Sequence, residues 1–191
     1  MSVFLNKLKL IWTDTTLSKR VLFVLVALVV FRLLSAIPIP GIDALALSRF
    51  LSNNQFFGIL NIFSGGGLTN LSIIMLGVGP YITSSIIMQL LTIMVPALKK
   101  IYHEEGEMGR KKFTQYSRLL TVPLAAIQGF ALLAILETQN ILVNLTAFDR
   151  ITNLIIVIAG SILLMWIGEL VTEFGIGNGV SLIIFAGIVA S

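Results

Sequence analysis

The 191-residue sequence contains no cysteine and one histidine, His103. Without cysteine there is no disulfide framework and no thiolate metal site. His103 opens the run His103-Glu104-Glu105-Gly106-Glu107, which starts like a zinc motif but lacks the second histidine. It reads as a solvated loop residue. No GxxxxGK[ST] phosphate loop occurs, so the chain carries no ATP motor of its own. No pair of carboxylates lies within an apolar run, which argues against an aspartyl intramembrane protease. Charge is also scarce, at 12% of residues, where a soluble domain has about 25%. What remains is apolar: 57% hydrophobic, with a mean hydropathy of +0.99. The expectation is an integral membrane protein with no catalytic residues, no metal and no cofactor.

The apolar residues gather into runs. A spanning helix needs about 20 of them, and four segments qualify: 21–37, 71–98, 119–136 and 151–170. A fifth begins near Val180 and is still apolar at Ser191. Twelve residues rise only about 18 Å, against a hydrocarbon core of about 30 Å. The chain is therefore expected to stop inside a helix, as a piece of a longer protein. An all-α polytopic membrane fold follows. Five helices are also what one half of an inverted-repeat pair would contain.

Basic residues set the expected orientation. Lys7, Lys9, Lys19 and Arg20 precede the first run, and Lys99, Lys100, Arg110, Lys111, Lys112 and Arg118 lie between the second and third. That places ten of thirteen on one side, with the N-terminus in the cytosol. Residues 1–20 read as an amphipathic cytosolic arm, since Leu5, Leu8 and Trp12 recur at helical spacing beside Lys7 and Lys9. The loop 99–118 is the most charged part of the chain, and Arg110-Lys111-Lys112 suits docking to RNA or an acidic partner. The plain alternative is a topology signal.

Between the first two runs, Pro38-Ile39-Pro40-Gly41 ends a helix. A glycine-rich dip follows, Phe56-Phe57-Gly58-Ile59-Leu60-Asn61-Ile62-Phe63-Ser64-Gly65-Gly66-Gly67-Leu68. It reads as re-entrant backbone, which survives at membrane depth only inside protein or beside a water-filled cavity. Pro80, next to Gly77 and Gly79, is expected to kink the second span. Arg32 either snorkels, bonds a neighbouring helix or faces a polar cavity. Thr83, Ser84, Ser85, Gln89 and Gln128 suit helix–helix bonding. Glu169 and Glu173, four apart, read as a solvated helix end.

Six stretches in order carry a resemblance across nearly the whole chain: Pro38-Ile39-Pro40-Gly41-Ile42-Asp43, Asn61-Ile62-Phe63-Ser64-Gly65-Gly66, Gly79-Pro80-Tyr81-Ile82, Ile87-Met88-Gln89-Leu90-Leu91-Thr92, Leu164-Met165-Trp166-Ile167-Gly168-Glu169 and Gly175-Ile176-Gly177-Asn178-Gly179. The chain resembles the N-terminal half of the bacterial SecY family, the channel subunits of the protein-conducting translocon. The resemblance implies ten spans in two halves closing like a clamshell, of which this chain supplies spans one to five. It implies a plug helix over about 58–68, with Ile59, Asn61, Ile62, Phe63, Ser64, Gly65, Gly66, Gly67 and Leu68 as its residues and the glycines as hinge. It implies a pore ring of Val78, Ile82, Val180 and Ile184, each pair one helical turn apart, and a lateral gate with Thr83, Ile86 and Gln128.

Implied partners are SecE and SecG, the SecA ATPase or a ribosome, signal sequences and nascent polypeptides, and the lipid bilayer. The basic loop also suits ribosomal RNA. The implied location is the bacterial cytoplasmic (inner) membrane. Two other readings stand beside this one. Half of a small-solute transporter would need an ionisable residue at mid-membrane depth, and Arg32 is off-centre. In the other, the chain is a multipass membrane protein caught during synthesis, itself a translocation substrate.

Overall fold

The computed structural model describes residues 14–42, 44–53, 57, 61, 64, 67–104, 106–142 and 146–190. Among these the structure is helical. The only β-type pairings are two isolated bridges, Pro38 with Ser72 and Ile42 with Leu142.

Helix α1 (Thr15–Ser35) starts where Asp14 can cap it, its carboxylate accepting from the Thr16 amide at 2.9 Å. It thus begins inside the arm expected over 1–20; residues 1–13 lie outside the described residues. One face, Ala27, Phe31 and Ser35, is buried at four-residue spacing, while Leu22, Val29 and Leu33 on other faces are exposed. The chain then extends along residues 71–73, with the Ile39 amide donating to the Leu71 carbonyl (2.9 Å) and the Ile73 amide to the Ile37 carbonyl (3.0 Å). The short α2 (Ala44–Asn53) tucks Leu47 into the core.

The second apolar run does not start as a helix. Residues 67–78 form successive tight turns, including Ser72 N–H to Gly67 O (2.7 Å), Met75 to Ser72 (2.9 Å) and Gly77 to Ile74 (2.8 Å). Leu71 and Gly77 take positive φ, 41° and 58°. Leu71, Ser72 and Ile74 are fully buried, so this irregular backbone is satisfied by its own turns and by protein around it.

Helix α3 (Gly79–Met94) begins only at Gly79. Pro80 therefore sits in the first turn, where its missing N–H costs nothing. The kink expected at Pro80 is a helix start. The real break comes at Pro96: Val95 is extended (φ −111°, ψ 108°), the conformation that a following proline favours. Helix α4 (Pro96–Glu104) leaves at 112° to α3.

Helix α5 (Gly106–Thr138) is 33 residues long, about 50 Å. The expected charged loop 99–118 is thus helical over most of its length. Charge marks solvent here and not loop, and a helix that overshoots the bilayer needs a polar end. Helix α6 (Ala147–Phe174) opens with a capping box, in which Thr146 and Asp149 bond each other's backbone. Helix α7 (Gly179–Ala190) follows a turn in which Gly177 takes φ 78°.

By length and composition α5 and α6 can cross a membrane, and bent α3–α4 makes a third span if counted as one. The helices run alternately between a basic end, which holds Lys19, Arg110 and Arg118, and a far end, which holds the two bridges. One apolar cluster around Leu71, Met75, Leu136 and Val157 fills the far end. Another, around Phe31, Ile74, Val78, Leu164 and Ile183, fills the middle.

Both clusters draw on α6 and on the irregular segment 67–78, and the small residues of α6 admit that segment. A Cβ placed on Gly160 would strike the Ile73 carbonyl oxygen, whereas one on Gly79 meets nothing within 4 Å. In the full-length protein, Gly160→Ala should lower stability by about 1–3 kcal/mol, read as a fall in melting temperature in detergent. Gly79→Ala should stay within about 0.5 kcal/mol of the parent.

Candidate functional site

Two cavities flank the middle of the bundle. The one toward the far end holds about 550 Å³ and is lined by Ser64, Leu68, Val78, Ile82, Thr83 and Gln128 among others. The one toward the basic end holds about 640 Å³ and includes Ile82, Ser85, Glu169, Val180 and Ile184 in its wall. Ile82 belongs to both. An apolar partition with space on either side is the shape of a constriction.

The four residues of the implied ring come together around that partition. Val78, Ile82, Val180 and Ile184 all pack in the middle cluster with Ile74 and Leu164. Val78 is 2% exposed and stands at the residue before α3, one hydrogen-bonded turn ahead of Ile82 (Ile82 N–H to Val78 O, 3.0 Å). Val180 and Ile184 occupy the first turns of α7.

Helix α6 positions both pairs. Ser161 Oγ donates to the Gly77 carbonyl at 3.1 Å and fixes the entry to α3. Eleven residues along, Thr172 Oγ1 accepts from the Gly179 amide at 2.8 Å and fixes the entry to α7. A Cβ on Gly179 would collide with the Gly168 carbonyl oxygen, so the two backbones meet there without side chains between them. Asn178 caps α7 by accepting from the Ser181 amide at 3.1 Å.

Of the implied plug, Asn61, Ser64, Gly67 and Leu68 are described; Ile59, Ile62, Phe63, Gly65 and Gly66 lie outside the described residues. Asn61 Oδ1 accepts from the Thr69 amide (2.9 Å), and Ser64 Oγ accepts from the Leu68 amide (3.3 Å) while donating to the Asn61 carbonyl (3.0 Å). These bonds tie Asn61 to Ser64 and Thr69, and Ser64 to Leu68, with Ser64 and Leu68 in the wall of the far-end cavity.

The implied gate residues divide. Thr83 and Gln128, from α3 and α5, share the wall of the far-end cavity; the Thr83 hydroxyl bonds its own helix at Gly79 O (3.0 Å). Ile86 lines the other cavity and is 51% exposed. Ser84 is glue, donating to the Ser117 carbonyl at 2.6 Å. Arg110, Lys111 and Lys112 are exposed in the first turns of α5, on a helix and not a loop. Arg32 is exposed in the last turn of α1.

Sequence reading missed the ion pair in the basic-end cavity. Arg118 Nε lies 2.6 Å from Glu169 Oε1, bracing α5 against α6. Glu169 is no solvated helix end: its side chain is 14% exposed, and Oε2 is buried without a partner among the described residues. Glu173, one turn on, is exposed. Two charged residues 51 apart in sequence give no spacing signal; the only clue is that both fall near the basic ends of their runs. Arg118→Ala would leave the whole buried carboxylate unpaired and should cost about 1–2 kcal/mol, the lower range for a pair whose arginine is 44% exposed. Adding Glu169→Gln removes the stranded charge and should restore most of the lost melting temperature.

Comparison with known proteins bears on this geometry. The sequence profile of the SecY family matches residues 72–191. A relative from Buchnera aphidicola subsp. Schizaphis graminum, named protein translocase subunit SecY, is 46% identical over 91% of this chain and 41% of its own length. The protein of that name from Escherichia coli K12 is 46% identical over 91% of the chain and 40% of its own length, and that from Streptomyces scabiei is 41% identical over 92% and 43%. The chain thus spans about two fifths of the relatives it matches. Among solved structures, Sec61 in the canine ribosome-channel complex from the endoplasmic reticulum superposes with a TM-score of 0.62 at 22% identity, covering 91% of this chain and 37% of that one. A structure described as that of a protein conducting channel superposes at 0.61 with 23% identity and the same coverage. At such identities the likeness speaks for the fold.

Proposed function

The chain belongs to the SecY family, and on that premise we propose that it forms one half of a channel for unfolded polypeptides, which pass across the membrane or sideways into it. The observation that carries this reading is Ile82, an apolar residue in the wall of two cavities at once. With Val78, Val180 and Ile184 it makes half of a waist lined only by aliphatic groups. Such a waist excludes ions by dewetting, and aliphatic side chains give way to a threading chain of any sequence because they ask for no particular bond. The role is passive and not enzymatic.

In this proposal the far-end cavity is the outer funnel, and 58–68 is the plug that fills it. Its described bonds, through Asn61 and Ser64, support a segment that moves as a folded unit. Thr83 and Gln128 form this half's share of a lateral gate, where a signal sequence leaves for lipid; Ile86 continues that seam toward the cytosol. The second half, absent from this chain, supplies the facing helices. Five spans follow if α1, α3–α4, α5, α6 and α7 each cross, with the basic end in the cytosol by the excess of Lys and Arg there. The exposed Arg110, Lys111 and Lys112 suit a ribosome or the SecA ATPase as the energy source. SecE and SecG complete the assembly, in the bacterial inner membrane.

Two conductance measurements on the full-length protein in planar bilayers test the reading. Ile82→Gly with Ile184→Gly should raise resting small-ion conductance at least several-fold, since water re-enters a waist stripped of its side chains; an intact seal sinks the ring. Deleting 58–68 should raise leak with translocation retained, and unchanged leak removes the plug.

A further inference from the structure

A third cavity, of about 180 Å³, lies in the seam between α5 and α6 at the far end, away from the waist. Its wall is mostly apolar, with Phe130, Leu133 and Leu154, yet three polar residues join it: Glu137, Arg150 and Asn153. Arg150 Nε lies 2.8 Å from Glu137 Oε1, with the arginine side chain 62% and the carboxylate side chain 26% exposed, so the pair forms a rim. Asn153 is 1% exposed, and its amide group donates only a long bond, 3.5 Å, to the Pro40 carbonyl. Its carbonyl oxygen is buried with no donor among the described residues. An orphaned acceptor beside a cavity is costly, and an amide held by one weak bond turns readily toward a donor.

The surroundings identify the donor's source. Phe130 and Ile151 on the cavity wall are 66% and 59% exposed, with Ile127 (66%) and Ile155 (59%) beside them on the same two helices. Both helices are long and apolar enough to cross a membrane, and the capped start of α6 at Thr146 puts the rim near the bilayer surface. A ligand reaching this seam from lipid brings acyl chains for the apolar wall, a phosphate for Arg150 and a positive group for Glu137. Asn153 adds a requirement, because its oxygen accepts hydrogen bonds. An ammonium headgroup has three N–H donors, whereas a quaternary ammonium has none. We propose that this seam is a headgroup site for an ethanolamine phospholipid of the far leaflet, its ammonium shared by Glu137 and Asn153 and its phosphate held by Arg150.

The site is independent of the waist, so it stands or falls apart from the channel reading. The full-length protein is reconstituted in vesicles of phosphatidylglycerol with either phosphatidylethanolamine or phosphatidylcholine, and retained lipids are counted by native mass spectrometry. The parent protein should hold one more ethanolamine lipid than choline lipid. Asn153→Leu and Glu137→Gln should each weaken that retention about tenfold, the loss of one charge-assisted bond, with resting conductance unchanged. Glu137 lies at the rim, so its variant serves if Asn153→Leu fails to fold. Equal retention of the two lipids by the parent protein means the cavity holds only water and overturns the proposal. So does undiminished retention in Glu137→Gln.

Discussion

The close approach of α6 to two stretches of backbone is the constraint on which the rest depends. Gly160 and Ser161 meet residues 73–77, and Gly168 and Thr172 meet Gly179. Without a hydrophobic drive between helices in lipid, small residues and buried hydroxyls are what bring backbones together. Here they do so twice on one helix, and each contact sits immediately before a helix that carries one pair of the proposed waist residues. The spacing of Val78 and Ile82 from Val180 and Ile184 is therefore set by α6, not by the ring residues themselves. That division suits a constriction whose side chains must yield, because the rigid part lies in the backbone behind them.

The same logic explains why the far end tolerates irregular structure. A run of turns from 67 to 78 leaves many amides without helical partners. The Leu71 carbonyl and the Ile73 amide are taken up by the extended strand after α1, the Gly77 carbonyl by Ser161, and the Leu68 amide by Ser64. Each bond comes from a different element, so the segment is fixed only once α1, α6 and the turn are all in place. A helix would have been self-sufficient and needed none of them. The same non-helical stretch supplies Leu68, Met75, Leu76 and Val78 to the wall of the far-end cavity.

How much of this was legible depended on the range of the interaction. Apolar runs and the basic bias are local, and they gave the all-helical membrane fold and the positions of the long helices. The prolines show where local reading fails. Pro80 and Pro96 both stand in the first turn of a helix, yet only Pro96 breaks off a helix that precedes it. The difference lies upstream: residues 67–78 are already committed to turns, with Gly77 at positive φ, so Pro80 has no helix to kink. The hydropathy of 71–78 hides this, since burial in protein and burial in lipid select the same residues. The residues of the proposed waist, Val78 and Ile82 with Val180 and Ile184, are ordinary aliphatics in aliphatic company, and only the resemblance picked them out. The structure adds that they converge. Arg118 and Glu169 were each visible, but their pairing is a tertiary fact.

The ion pair of Arg118 with Glu169 lies in the cavity that Ile82, Val180 and Ile184 also line, beside the proposed waist. The basic-end cavity gathers Tyr81, Ser85, Gln89, Arg118 and Glu169 a single turn or two from Ile82. Charges so near an apolar partition would draw water to it if they were free to lean inward. Pairing ties the charged groups of Arg118 on α5 and Glu169 on α6 to each other, while Ile82 on α3 and Val180 and Ile184 on α7 add aliphatic groups to the same cavity wall. An unpaired lysine in place of Arg118 would keep the net charge and lose the fixed geometry, since an ammonium on a flexible stem is a mobile point charge and a guanidinium is a planar fork. In the proposed channel the seal would rest on two separations: aliphatic side chains placed by α6, and nearby charge tied to its partner.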